Sequence, residues 1–364
     1  MGEMSATVTD APRFQHHGSI GELYGIYFRN LVLKIVTLGI YHFWAKTRIR
    51  HYLWSQTAFD GERFEYTGTA RELLRGYLKA MAILIPTLIV FQVLIRIFQT
   101  NAVVATVLNL LFYAGFIVFA GLARFASWRY RLSRTRWRSI RMAMTGSAVT
   151  FGFMTLGHVL LTGLTLGLYY PRMSNELTRY LLGNTWFGTI RCAYDGRAGG
   201  LFVPFAWRWV ATLFGISGLS GAIGVLVIVG AEGPGNESIE AFIPILIIVV
   251  PSLLIGLSIP VLWLPYRAVQ HRYFAEHSRL GAMEFTLGYS GGRYSWMFIS
   301  SLTISLLTLR FGFPIVIMRW VKFTLGHLTA NGTLDYAAIL QSQEAIPAGG
   351  EGIAEALDIG DVGI

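Results

Sequence analysis

The stretch TLGIYHFWAKTRIRHYL, residues 37–53, decides the organisation of the chain because parts of it recur. Its first five residues, TLGIY, reappear 128 positions later as TLGLY at residues 165–169. The same offset then holds without a gap for the pairs Tyr52/Tyr180, Phe59/Phe187, Tyr66/Tyr194 and Gly68/Gly196. An offset that stays constant over about thirty residues indicates an internal repeat.

A reduced form of this pattern occurs five times. An aromatic residue with a cation nearby is followed by a bulky residue seven positions later and, in the first four copies, by another five positions after that. The fifth copy is degraded, because Ala330 occupies its seventh position. The copies begin at Tyr52, Tyr130, Tyr180, Tyr273 and Phe323. Their separations of 78, 50, 93 and 50 residues alternate between long and short. This alternation predicts repeat units at 19–142 and 147–286 and a terminal half-repeat at 294–340.

The composition indicates a polytopic membrane protein. Hydrophobic residues make up 54% of the 364 residues and charged residues 14%, against roughly 25% charged in soluble domains. Four stretches are apolar over the roughly 20 residues that a transmembrane helix needs: 73–98, 102–126, 201–230 and 241–266. Three further apolar stretches are ambiguous: 19–41, 147–171 and 294–318.

The basic residues predict the topology. Lys and Arg collect on the cytoplasmic side of a membrane, and 26 of the 30 lie in the five segments that carry the repeat. If all five segments and both termini are cytoplasmic, the ambiguous stretches must enter and return, breaking at Thr-Leu-Gly. The third copy has Arg310 in place of the glycine, which leaves its turn open. The rival arrangement has seven full spans with alternating sides.

These patterns together predict the fold class. Short alternating apolar runs around glycine, as in residues 55–68 (SQTAFDGERFEYTG), are typical of β-hairpins. We predict an all-α polytopic membrane protein with internal parallel repeats, four full transmembrane helices, three re-entrant or interfacial helical elements and small β-hairpin segments on the cytoplasmic face. Residues 1–18 are predicted to be a disordered N-terminus. Residues 341–364 carry five acids and no bases, and are predicted to be either a disordered acidic tail or a segment that docks on the basic face or on a protein partner.

The N-terminal motif resembles a known family. ELYGIYFRNLVLKIVTLGIYHFWAKTRIRHYL at residues 22–53, followed by FDGERFEYTGTARELLRGYLKA at 59–80, is similar to the YjgN-like family of bacterial inner-membrane proteins, a domain-of-unknown-function family. The resemblance extends over about residues 18–336. It implies a location in the bacterial cytoplasmic membrane and a repeated multi-span architecture, and it implies no activity.

Two sets of residues are candidate sites. The repeated cation and aromatic pairs either bind anionic lipid headgroups or an anionic solute, or only set the topology and form the interfacial aromatic belt. They are Arg48, Tyr52, Arg129, Tyr130, Arg179, Tyr180, Arg272 and Tyr273. Glu22 and Arg29 share a helical face, either as an intramembrane polar site or as a solvated stripe of an interfacial helix.

The zinc-protease, P-loop and dithiol motifs are absent from the sequence. It contains no HExxH, GxxxxGK[ST] or CxxC, so no metal or cofactor is expected, and a membrane enzyme ranks third among the function classes. Membrane topology explains the basic charge, so nucleic acid is not an expected partner. The repeats and the prolines in the apolar stretches narrowly favour transport or permeation of a small or lipid-like solute. The alternative is a non-transporting scaffold or headgroup-binding protein with a basic aromatic cytoplasmic face.

Overall fold

A computed structural model describes residues 14–231, 261–336 and 339–342 of the chain, with the backbone alone for most of 216–231. Most of the predicted span 241–266 and nearly all of the predicted acidic tail lie outside these residues.

Five units with the same order of elements make up the described chain. Each unit runs strand, first helix, second helix, strand, and two-residue turns join consecutive units. The strands are β1 (Phe14–His16), β2 (Thr57–Phe59), β3 (Glu62–Tyr66), β4 (Thr135–Trp137), β5 (Ile140–Met144), β6 (Thr185–Phe187), β7 (Ile190–Tyr194), β8 (Ser278–Leu280), β9 (Met283–Leu287) and β10 (Leu328–Asn331). The helix pairs are α1 (Ile20–Val36) and α2 (His42–Gln56), α3 (Ala70–Ile97) and α4 (Ala102–Arg134), α5 (Ala148–Leu164) and α6 (Tyr170–Gly183), α7 (Ala198–Ala231) and α8 (261–276), and α9 (Gly291–Leu307) and α10 (Phe313–His327).

The ten strands form one antiparallel sheet in chain order. Hairpin pairs such as β2 and β3 alternate with pairs inside a unit, such as β3 and β4, where Phe64 lies opposite Trp137. The fifth unit then packs back on the first through helices. The Tyr27 hydroxyl donates a hydrogen bond to the Arg310 carbonyl oxygen (3.0 Å), and Leu53 packs with Val321. Helix contacts therefore close the five units into a ring.

The repeated bulky positions build the core of the sheet. The seventh position of each copy is the third residue of the strand that follows the second helix, and the next bulky position is the middle of a five-residue strand. All of these residues except Cys192 belong to one apolar cluster: Phe59, Phe64, Trp137, Met142, Phe187, Leu280, Phe285 and Ala330. The spacing therefore encodes the distance from a helix end across a hairpin.

Each second helix also packs against the following unit. The clusters are Phe43 with Leu73 and Tyr130, Phe125 with Phe151 and Leu177, Tyr170 with Phe205 and Tyr266, and Ala268 with Tyr294 and Phe323. Every boundary between units is thus filled by apolar and aromatic side chains, which fixes the second helices relative to one another.

Among the helices whose residues are fully described, α3 and α4 are long and apolar enough to cross a membrane. They contain 28 and 33 residues, or about 42 and 50 Å. Only 6% and 0% of their most apolar windows are buried, so they do not resemble the core helices of a soluble protein. They match the predicted stretches 73–98 and 102–126, and α7 covers the predicted 201–230.

The three ambiguous stretches are helical hairpins of equal size. Helices α1, α5 and α9 each have 17 residues, and each is followed by the same turn. Leu38, Leu166 and Leu309 have φ of 50°, 51° and 48°, and the next residues are also left-handed. The third turn, which the sequence left open, therefore has the same left-handed conformation as the other two. Arg310 adopts φ 70° where the other two copies have glycine. Because both strands of each unit belong to the one sheet, each of these hairpins begins and ends at the sheet.

Three predictions need correction. The described chain is mostly helical, as predicted, but the all-α class omits a sheet, because the predicted hairpins join into one ten-stranded sheet instead of remaining isolated. The disordered N-terminus of 1–18 is wrong for residues 14–16, because Phe14–His16 pairs with β2. The half-repeat at 294–340 is a complete unit, since β9 and β10 flank its two helices and pair with each other.

A C-terminal strap, defined as residues 334–336 and 339–342, crosses the hairpin turns that join the units. Tyr336 donates a hydrogen bond to Asp60 (3.4 Å) and stacks under the Arg138 guanidinium. Gln341 accepts a hydrogen bond from the Arg141 backbone N–H (3.1 Å). Other strap residues lie against the last two turns: Ile339 and Leu340 on Gly188, and Leu334 on Gly281. The strap therefore touches all four turns and adds Leu334 and Ile339 to the apolar cluster of the sheet.

Candidate functional site

The predicted tyrosines join the two helices of each unit. The hydroxyls of Tyr52, Tyr180 and Tyr273 accept from the backbone N–H, and donate to the carbonyl, of the residue that precedes the first helix of the same unit. These residues are Ser19, Ser147 and Arg197, at distances from 2.7 to 3.1 Å. In the second unit Tyr130 donates instead to Glu72 in the first turn of α3 (2.8 Å). We call these four residues the latch tyrosines.

The fifth unit has no latch, because Phe323 stands at this position and stacks on Tyr289. In the first unit, burial and the Glu22 carboxylate raise the pKa of Tyr52. Its hydroxyl therefore keeps its proton at neutral pH and remains able to donate.

The predicted arginines lie on four different second helices and do not converge on one site. Arg179 is bound to Glu176 (2.8 Å) and to the carbonyl of Gly196. Arg129 and Arg272 are half-buried, and the Arg272 Nε is buried with no acceptor among the described residues. Arg48 belongs to a separate groove.

Glu22 and Arg29 are both exposed on α1. Glu22 lies 2.8 Å from the Tyr52 hydroxyl. Within the described part of the chain no ion pair joins Glu22 to Arg29, which are about 10 Å apart along the helix. The structure thus places Glu22 at a latch and leaves Arg29 at a distance from it.

An outer groove lies between the first and second units. It has a volume of about 670 Å³ and is lined by Trp44, Thr47, Arg48 and His51 of α2 and by residues 68–71 at the start of α3. The Arg48 guanidinium lies 6.0 Å from the Tyr41 ring, and its Nη1 is buried with no acceptor among the described residues. Arg71 adds a second guanidinium, and no carboxylate lines the groove.

An inner cavity of about 420 Å³ lies between the second helices of units two, three and four. Its polar lining includes Arg124 and Trp128 of α4 and Arg267, Gln270 and His271 of α8. Its remaining wall is largely apolar and comes mostly from α6, and no carboxylate lines it. The described residues contain no group of His, Cys, Asp and Glu side chains that could hold a metal ion.

Arg124 and Arg267 occupy equivalent places in the repeat. Each lies six residues before a latch tyrosine and eleven residues before the first residue of the following strand, about 16 Å along the helix. The predicted site residues include neither, because the five-copy pattern begins at the aromatic residue. The position six residues before the latch tyrosine could have identified both arginines, since it is also basic in the first unit, where Lys46 occupies it.

His271 is neutral in this cavity. Burial and the nearby Arg267 lower the pKa of His271 to about 4, while burial and Tyr294 raise the pKa of Tyr289 to about 12. His271 Nδ1 lies 3.1 Å from the Tyr289 hydroxyl. An imidazole whose Nδ1 accepts this hydroxyl proton carries its own proton on Nε2, which makes Nε2 a donor.

The architecture is that of a ring of β-α-α-β units on one sheet, with helices long and apolar enough to cross a membrane. The chain belongs to a family of bacterial proteins of unknown function (DUF898), whose profile matches residues 11–356. This match confirms the resemblance carried by the N-terminal motif. No curated protein and no solved structure matches the chain.

Proposed function

We propose that the protein is an integral protein of the bacterial cytoplasmic membrane and binds anionic lipid headgroups in the outer groove. The observation that carries this proposal is the pairing of Arg48 and Arg71 in a groove without a carboxylate. The groove lies at the start of α3, which among the fully described helices is one of two long and apolar enough to cross a bilayer.

Exposed apolar surface supports the membrane location. The turn residues Leu38, Leu166 and Leu309 are 93%, 80% and 81% exposed, and exposed apolar side chains continue along α3 and α4. Contiguous apolar surface of this kind is unfavourable in water and favourable in lipid. We place α3, α4, α7 and the stretch 241–266 across the bilayer as four full spans. The three short hairpins are then re-entrant.

The charge distribution supports the orientation. Basic residues concentrate near the sheet end of the second helices, and this excess marks the cytoplasmic side. The sheet, the C-terminal strap and both termini then lie in the cytoplasm. The outer groove lies at the level of the inner-leaflet headgroups.

The groove suits a phosphodiester. A guanidinium binds phosphate oxygens through paired N–H donors, and the buried Nη1 of Arg48 is a donor with no acceptor in the described protein. Tyr41 and Trp44 stack beside it at 6.1 Å between ring centroids, as interfacial aromatic residues do. Arg129, Arg179 and Arg272 place further cations on the second helices of units two, three and four.

Lipid retention tests the proposal. Full-length protein purified in mild detergent is compared with Arg48→Gln/Arg71→Gln, and bound lipid is quantified by mass spectrometry. We expect the double variant to lose most of its phosphatidylglycerol, while Arg63→Gln/Arg279→Gln, which removes the same charge from the sheet, retains it. Equal retention in all three proteins refutes headgroup binding in the groove.

Transport of a small or lipid-like solute is the second candidate, favoured by the inner cavity between helices of three units. The apolar cluster of the sheet lies between this cavity and the hairpin turns. Transport would require that cluster to open, so headgroup binding is the simpler function. Solute uptake into proteoliposomes that depends on the residues of the inner cavity is the result that would favour transport.

A further inference from the structure

We propose that the inner cavity is a second anion site, separate from the outer groove, which binds the phosphate group of a small amphiphile. Nothing in the headgroup function of the outer groove requires it. The inference rests on the charge, the donors and the shape of the cavity.

The charge of the cavity is positive and uncompensated. Arg124 and Arg267 both line it, neither forms an ion pair among the described residues, and no carboxylate lines the wall. Both side chains are solvent-exposed, and two like charges that line one cavity repel each other. A bound anion relieves this repulsion.

The neutral polar groups of the cavity are suited to an acceptor-rich ligand. Trp128 Nε1 is buried and has no acceptor among the described residues, and an indole N–H can only donate. His271 Nε2 is a second donor when Nδ1 accepts from Tyr289. A phosphate group offers acceptor oxygens and no strong donor once ionised, so it complements this set.

The shape of the cavity indicates an amphiphile. A volume of about 420 Å³ falls in the range of small-molecule sites. The arginines line the part of the cavity farther from the sheet, while Leu181, Leu182 and Phe274 line the part nearest the sheet. A phosphate ester with a short apolar portion satisfies both parts, whether it comes from a membrane lipid or from a soluble phosphate.

Two probes on the intact protein distinguish these sources. Inorganic phosphate is titrated in lipid-depleted detergent at constant ionic strength by calorimetry, and phosphatidylglycerol is titrated in phosphatidylcholine nanodiscs. We expect Arg124→Gln and Arg267→Gln each to weaken binding of at least one probe by about ten- to a hundredfold, as the loss of a charged hydrogen bond predicts. Arg279→Gln, whose guanidinium pairs with carboxylates on the sheet, should bind as the wild type does.

A cavity-filling variant covers the case in which an arginine variant fails to fold. Ala275→Leu narrows the cavity without removing a charge, and it should weaken the same probe. Phosphate binding in detergent assigns a soluble ligand, and binding only in phosphatidylglycerol nanodiscs assigns a lipid. The proposal is overturned if neither probe binds, or if binding is unaffected by the Arg124, Arg267 and Ala275 variants.

These experiments can refute the inner anion site without refuting headgroup binding in the outer groove. Arg48→Gln/Arg71→Gln should lower lipid retention in the outer groove and leave unchanged the part of probe binding that depends on Arg124 and Arg267. If the double variant also weakens that part tenfold, the two cavities are not separate sites and the inference fails while headgroup binding stands.

Discussion

Removal of the latch hydroxyls separates a structural role from a lipid-binding role for the predicted tyrosines. Tyr52→Phe, Tyr180→Phe and Tyr273→Phe each delete two hydrogen bonds to one backbone residue and keep the ring, and Tyr52→Phe also removes the contact with Glu22. Water can reach these exposed backbone groups, so each bond is worth about 0.5 kcal/mol, at the low end of the usual range. Each variant should lose about 1 kcal/mol and the triple variant about 3 kcal/mol, because the three sites lie in different units.

The unfolding midpoint in lipid-depleted detergent measures this loss. An unfolding entropy of about 2.1 cal/mol/K per residue converts 3 kcal/mol into a decrease of about 4 °C for a chain of this size. Tyr113→Phe is the control, since its hydroxyl forms no hydrogen bond with the described protein and the side chain is exposed on α4. If the triple variant melts with the control but loses bound lipid, the tyrosines are headgroup ligands and the latch interpretation is wrong.

Three further predictions follow from the strap, the buried histidines and the topology. Gly188→Ala should lower the unfolding midpoint more than Gly61→Ala: both glycines have positive φ, yet only at Gly188 would a Cβ meet Leu340 and Ile339; equal effects contradict the observed strap. His16 and His271 have pKa values lowered to about 4 from 6.5, so protonation favours the unfolded chain and stability should fall as pH drops from 6.5 to 4; His16→Gln and His271→Gln should flatten that slope, and an unchanged slope excludes these residues as its source. Ser55→Cys, exposed at the sheet end of α2, should react with an impermeant maleimide in inverted vesicles and not in right-side-out ones, and the reverse pattern would invert the topology.

The repeat spacing predicted many of the residues that form the apolar cluster of the sheet. It did not predict that the hairpins join into one sheet. Phe59 and Phe64 follow Tyr52 by seven and then five residues. This spacing identifies them as core residues because it depends only on the neighbouring helix end and hairpin turn, which are close in sequence. Pairings between strands of one unit, such as Phe64 with Trp137, join residues far apart in sequence, and no turn signals them. This is why isolated hairpins were predicted where one sheet forms.

The candidate site was predicted less well for a related reason. Arg124 and Arg267 lie 143 residues apart in sequence, and they share a cavity only because the ring places α4 and α8 around α6. Tyr52 was correctly singled out as a repeated residue. Its partners could not be foreseen, since Ser19 is brought to it by the return of the helical hairpin.

The C-terminal strap has a consequence for the order in which the chain can be completed. Its residues are synthesised after all four hairpin turns, and together they contact every one of those turns. The strap can dock fully only on a ring in which each unit is already in place. Docking of the last segment therefore completes assembly, and a chain truncated before Leu334 should leave the four hairpin turns more accessible to proteases.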